Sequence, residues 1–249
     1  MQNSHVQLSQ LLMRGFSYKT KEGDKVQYLD LNDNIIKEEK VNKLDAIPGY
    51  FDEEVEKQLA EIESKFGEVI FKFKKFQKKE IDFILSKDNL NTIQCFIDCL
   101  ILRNEKIATI SKKSSVILSS FDATPSDVLR CYDCEDNNYR ILGNRKANVL
   151  VNKTDVDFVL PRNGLYMVRK NEKYEYVLPI AKKVAILMMD EKLYEEHRDG
   201  DILEYAYIDL DEGIKKFNDV AYYTEKDINN RFVIGSEEEL KRLQKLGNR

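Results

Sequence analysis

The chain has 249 residues, 42% of them hydrophobic and 34% charged, with 40 basic against 44 acidic side chains and a formal net charge of -4. That length and composition suit a packed core and exclude a disordered chain. The near balance of charge excludes a global field toward nucleic acid or anionic lipid, so binding of that kind would need a local patch.

Val6, Leu8, Leu11, Leu12 and Phe16 open the chain as a short helix or extended lead-in ending near Gly15. Residues 25–31 then alternate as a half-exposed strand, Asn32-Asp33-Asn34 turns, and Ile35-Ile36 begins the return of a hairpin. Pro48 and Gly49 break the pattern. From Asp52, a candidate N-cap, apolar residues recur at helical spacing from Val55 to Phe76, with an acidic start and a basic end that complement the helix dipole. A second long helix is expected from Asp88 to Ile110, apolar over a broad face, and is interrupted at 111–115. Thr124-Pro125-Ser126-Asp127 reads as an N-cap with proline at the first helical position, opening a short helix through Val128 and Leu129.

Beyond Tyr139 the pattern changes to short strands at 139–142, 147–151, 156–160, 165–168, 174–178 and 184–188, with another at 205–210. Their short connections imply an antiparallel sheet, since parallel neighbours need long crossovers. A helix carrying Ile214, Phe217, Val220 and Ala221 follows, then a strand at 231–234. A closing helix through Leu240, Leu243 and Leu246 has Ser236 and Glu239 at capping-box spacing. The expectation is an α+β fold, N-terminal long helices packed with a C-terminal, mostly antiparallel sheet. It forms a single intertwined domain over 1–249, mainly helical to residue 135 and strand-rich from 136.

The residues from Met1 to His5 lack the charge and apolar run of an export signal, and no apolar window reaches membrane-spanning length. A cytoplasmic location with free thiols is expected, and no membrane partner. Cys95 and Cys99, with Cys131 and Cys134, could complete a zinc tetrahedron. Cys95 and Cys99 sit among apolar neighbours, however, where free cysteine acts as a small buried residue, and that is the better account. His197 falls in a charged loop. The chain carries no phosphate loop, dinucleotide fingerprint, zinc-protease helix or nucleophile elbow.

Several blocks resemble a bacterial family, domain-of-unknown-function family 4238, whose members open with a His-Tyr-Val-Pro-Gln-Phe-x-Leu-Arg-x-Phe type motif. Here that block is His5-Val6-Gln7-Leu8-Ser9-Gln10-Leu11-Leu12-Met13-Arg14-Gly15-Phe16. The resemblance continues at 55–63, at Leu100-Ile101-Leu102-Arg103, at Asp157 to Gly164, at Val177-Leu178-Pro179-Ile180, and in the segments 214–218 and 230–234. The prolines of the first motif are missing. Where the family carries Ser-Asp-Asn-Pro, this chain has Leu160-Pro161-Arg162-Asn163, without the aspartate. The resemblance assigns no substrate or cofactor, and a scattered bacterial distribution suggests conflict with phage or mobile elements.

A histidine side chain can take up or release a proton near neutral pH as a residue type, so His5 is a candidate base or ligand, or else a cap on the first element. Glu63 lies beside the apolar stripe of its helix, where it can join a polar centre or form a buried ion pair with Arg103 that fixes the two long helices. One reading is therefore a hydrolase acting on nucleic acid or a nucleotide, with His5, Gln7, Arg14, Glu63 and Arg103 as the catalytic set. The other is a non-catalytic module that binds a protein partner, drawing on Tyr174, Tyr176, Tyr205, Tyr207, Tyr222 and Tyr223, since tyrosine is enriched at interfaces.

Overall fold

The structure is a computed structural model that describes residues 3–77, 86–103, 129, 145–170, 173–190, 205–227 and 231–248. In chain order its elements are β1 (Asn3–His5), α1 (Gln10–Arg14), β2 (Tyr18–Thr20), β3 (Gly23–Asp30), β4 (Ile35–Lys40), β5 (Ala46–Pro48), α2 (Glu53–Gln77) and α3 (Lys87–Arg103). After these come β6 (Arg145–Asn152), β7 (Leu160–Pro161), β8 (Tyr166–Lys170), β9 (Lys173–Ala181), β10 (Val184–Asp190), β11 (Tyr205–Ile208), α4 (Asp211–Asp227), β12 (Phe232–Ile234) and α5 (Glu237–Gly247). The fold is mixed α+β with antiparallel sheets. Contacts divide the chain into two compact units. Unit 1 comprises 1–6, 47–146 and 190–203, and unit 2 comprises 7–46, 147–189 and 204–249.

In unit 1, α2 starts where expected because the Asp52 carboxylate accepts the Val55 amide at 3.0 Å, satisfying one of the helix's open donors. Its stripe from Val55 to Phe73 is buried, and it packs on α3 with the Phe66 and Phe96 rings stacked 4.1 Å apart. α3 is buried almost all round from Ile93 to Arg103. The expected continuation to Ile110, the helix opening at Thr124 and the strand at 139–142 lie outside the described residues.

Unit 2 holds two sheets. One has the strand order β11-β6-β10-β9-β8, antiparallel through β10, β9 and β8, while β11 joins β6 in parallel. The other has the order β2-β3-β12-β7, with β4 also pairing β3. The anticipated hairpin is β3 and β4, turning through Asn34 at φ +57°, a left-handed value asparagine tolerates. Lys37 ties its turn down, bonding Asp30 at 2.7 Å and Asp33 at 2.5 Å. These two carboxylates hold its ammonium in the charged form, raising its pKa.

The expectation of N-terminal long helices packed with a C-terminal sheet is not borne out. Five strands precede Gly49, two helices lie in the C-terminal part, and the long helix α2 packs on α3. Within unit 2, strand order ignores sequence order: β12 pairs with both β3 and β7, because its three apolar residues need cover on both edges and both faces.

Two local expectations also change. Of the strand expected at 156–160, residues 156–159 are not a strand, because the Val156 and Asp157 carbonyls accept from side chains instead of a neighbouring strand. Ser236 makes no side-chain cap, and Glu239 bonds Asn218 and Arg242 instead of reaching back to the helix start. The α1 turn packs so closely on β9 that a Cβ at Gly15 would collide with the Ile180 carbonyl.

Candidate functional site

Two polar centres stand out, one in each unit. In unit 2 the centre is Asp45, whose backbone lies at φ +58°, accessible to aspartate at modest cost. Its Oδ2 accepts the Gln7 and Leu8 amides, both at 3.0 Å, and its Oδ1 accepts Arg162 Nε at 2.8 Å and a terminal guanidinium nitrogen at 2.5 Å. The Asp45 side chain is 4% exposed and that of Arg162 11%. A carboxylate so buried needs such a shell, since an unpaired charge in the interior is prohibitive. Just beyond, Ser9 Oγ accepts the Leu11 amide at 3.1 Å and caps α1.

The turn that presents Arg162 closes through the Gly164 amide to the Pro161 carbonyl at 2.8 Å, with Gly164 at φ +76°. The next residue, Asn163, donates its amide to Glu225 Oε1 on α4 at 2.9 Å, and that carboxylate is fully buried. Further along α4, Asn218 accepts the Val159 amide at 3.0 Å and donates to the Asp157 carbonyl and Glu239, each at 2.8 Å. Arg242 completes this network with Glu239 and Asp219, both at 2.7 Å. Tyr166, at the start of β8, differs from these groups. Its hydroxyl is buried without a hydrogen-bond partner, and burial pushes its pKa well above the ordinary value.

In unit 1, Arg103 reaches from the end of α3 to Glu63 on α2 at 2.8 Å. Arg103 is 3% exposed and Glu63 26%. The pair is the buried ion pair expected for the two long helices. It is also incomplete: Arg103 Nε is buried and bonds no acceptor. Glu56, two turns before Glu63 on the same face of α2, likewise buries Oε1 without a donor.

Of the sequence-derived candidates, the structure joins Glu63 and Arg103. His5 ends β1, half-buried and in the same unit. Gln7 belongs to unit 2, where its amide rests on Asp45 while its side-chain oxygen is buried without a partner. Arg14 is exposed at the end of α1 and donates to Gln10 at 3.3 Å. Of the six tyrosines, Tyr207 and Tyr223 are exposed, Tyr176 is half-buried and Tyr222 is buried.

Asp45 and Arg162 are the residues that sequence reasoning missed as a pair. Arg162 was legible only as a departure from Ser-Asp-Asn-Pro, and Asp45 gave no signal beyond its place in a turn. Among the described residues no group of three or more His, Cys, Asp or Glu could hold a metal ion, and Cys95 and Cys99 are buried free thiols. Cys131, Cys134 and His197 lie outside the described residues. No helix among the described residues is long and apolar enough to cross a membrane.

A family model described as a protein of unknown function, DUF4238, matches residues 7–239. The chain belongs to the DUF4238 family. No curated protein and no solved structure matches it. In this DUF4238 chain the opening segment and the turn at 161–164 meet on one carboxylate: Gln7 and Leu8 from the first, Arg162 from the second. Asp45 thus brings an acid to the turn whose own sequence lacks one. Its four accepted bonds spend the carboxylate on structure. The DUF4238 match begins after His5, which therefore stands outside the matched residues.

Proposed function

We propose that the protein is a hydrolase acting on nucleic acid or a nucleotide in the cytoplasm, in conflict with phage or other mobile elements, with Arg103, Glu63 and His5 as its working groups. The observation that carries this reading is the unfinished bonding of Arg103: a guanidinium 3% exposed, with Nε bonding no acceptor. A planar fork of charged donors suits a phosphate oxygen pair, and a phosphate there would complete the shell that Glu63 leaves open. Glu63, partly exposed beside it, suits the acceptance of a proton from an attacking water, and His5 in the same unit suits protonation of the leaving oxygen. Buried free thiols at Cys95 and Cys99 fit a reducing compartment.

The test is hydrolysis of a panel of nucleoside triphosphates, single-stranded RNA and single- and double-stranded DNA by the purified chain and its Arg103→Lys, Glu63→Gln and His5→Ala variants. Loss of at least roughly a hundredfold in each variant with retained folding supports the reading, since acid–base groups contribute about 10²–10⁴-fold. Absence of turnover across the panel, or unchanged turnover in the variants, overturns it.

A second reading is favoured by one observation. On unit 2, Tyr207 of the sheet-edge strand β11 is 53% exposed and Leu210 is 74% exposed. These suit a protein partner and a binding role without catalysis. Capture of one partner by the native chain, lost on Tyr207→Ser with Leu210→Ser, supports it; recovery of no specific partner counts against it.

A further inference from the structure

The segment 154–157 in unit 2 folds around the ammonium of Lys183, which stands at the turn between β9 and β10. Lys183 Nζ donates to the Thr154 carbonyl at 2.7 Å, the Asp155 carbonyl at 3.1 Å and the Val156 carbonyl at 3.3 Å. The Asp157 carboxylate lies 2.9 Å away on the same nitrogen. Four consecutive residues thus turn one oxygen each toward one positive charge.

The cage is held from behind. Asn152 Oδ1 accepts the Thr154 amide at 2.9 Å and hydroxyl at 2.8 Å, and Asn152 Nδ2 donates to the Val156 carbonyl at 2.6 Å. The lysine's own backbone is clamped as well, its carbonyl accepting the Asn152 amide at 2.9 Å, while Lys182 accepts the Phe158 amide at 2.9 Å. Asn152 and Thr154 are buried, so the loop is a fixed part of the fold.

We infer that residues 154–157 form a monovalent-cation loop whose cation is supplied by the chain itself, and that ammonium or potassium occupies the cage when the Lys183 side chain is removed. Three neutral carbonyls and one carboxylate carry a single negative charge, which one positive charge balances. The spacing of 2.7–3.3 Å is that of N–H···O contacts. It is wider than the about 2.3–2.6 Å at which calcium takes its oxygens. Carbonyl oxygens replace water around potassium in the same way, and here they do so on one side only, since the Lys183 side chain is 43% exposed and the opposite side stays hydrated. Because the loop leads directly to Val159 and then to Arg162, its cation also sets where those residues meet Asn218 and Asp45. This inference concerns unit 2 and is independent of the hydrolase reading.

The experiment is thermal melting of the wild-type chain and Lys183→Ala in ammonium, potassium or choline chloride at equal ionic strength, which separates site occupancy from general screening. In choline chloride the variant melts lower than wild type by roughly 2–6 °C, as expected for the loss of one anchored charge in a chain of this size. Ammonium and potassium restore it along a saturating curve, while wild type melts alike in all three salts. Equal melting of the two proteins, or equal recovery in choline, overturns the inference. If the variant does not fold in choline chloride, the readout is the yield of refolding: soluble protein in ammonium or potassium chloride but not in choline chloride supports the inference, and none in any of the three overturns it.

Discussion

The molecule buries two arginine–carboxylate pairs of the same chemistry, and they differ in completeness. Asp45 receives two backbone amides and two guanidinium nitrogens, which use both its oxygens. Arg103 and Glu63 share one bond, with Arg103 Nε unmatched. A closed shell marks a charge committed to holding the chain together, because nothing remains to exchange with a ligand. An open shell marks a charge that a ligand can complete, since a buried unmatched donor costs about 1–3 kcal/mol until it finds an acceptor. Geometry at the level of single atoms separates the two pairs where residue type does not.

The contrast can be broken most forcefully at Asp45. Asp45→Ala takes away the acceptor of the Gln7 and Leu8 amides and the carboxylate that Arg162 bonds, and a loss of about 2–5 kcal/mol in urea unfolding is expected; a loss under about 1 kcal/mol would show the pin to be dispensable. Next in size is Asn218→Ala, which takes its side-chain partner from the Val159 amide and the Asp157 carbonyl, while Glu239 keeps Arg242. Its expected cost is about 2–3 kcal/mol, read in the same denaturation. Glu63→Gln keeps an acceptor for Arg103 and should cost only about 1 kcal/mol. Its effect on activity should far exceed its effect on stability, and a larger stability loss than at Asp45 would reverse the assignment of roles.

The smallest effect is expected at Tyr166. Its hydroxyl has no partner, so Tyr166→Phe should change stability at neutral pH by less than about 1 kcal/mol. The raised pKa gives the pH dependence its sign. The folded state resists ionisation, so the contribution is full below the unfolded value of about 10 and is lost as pH rises through the folded value. Removing the hydroxyl should therefore move alkaline unfolding to higher pH, as followed by circular dichroism.

The sequence carried the long helices clearly, since an apolar stripe from Val55 to Phe73 has no other economical reading, and Asp52 announced its cap. It also carried the Glu63–Arg103 pair, because a glutamate beside the stripe and an arginine closing an apolar helix both need an opposite charge. Asp45 was illegible for a different reason. It is one acid among 44, its partner lies 117 residues away, and turn aspartates are commonly solvated. The place of β12 was equally hidden, since a three-residue apolar run fixes neither its neighbours nor its order in a sheet.

That interior place for β12 has a consequence for how the protein is made. On the ribosome, β3 leaves the exit tunnel about two hundred residues before the strand that covers its edge. At roughly 5–20 residues per second the interval is on the order of ten to forty seconds. Through that time the nascent chain presents Leu29 and its neighbours with one hydrogen-bonding edge unpaired, which makes it a natural client for chaperones that shield strand edges.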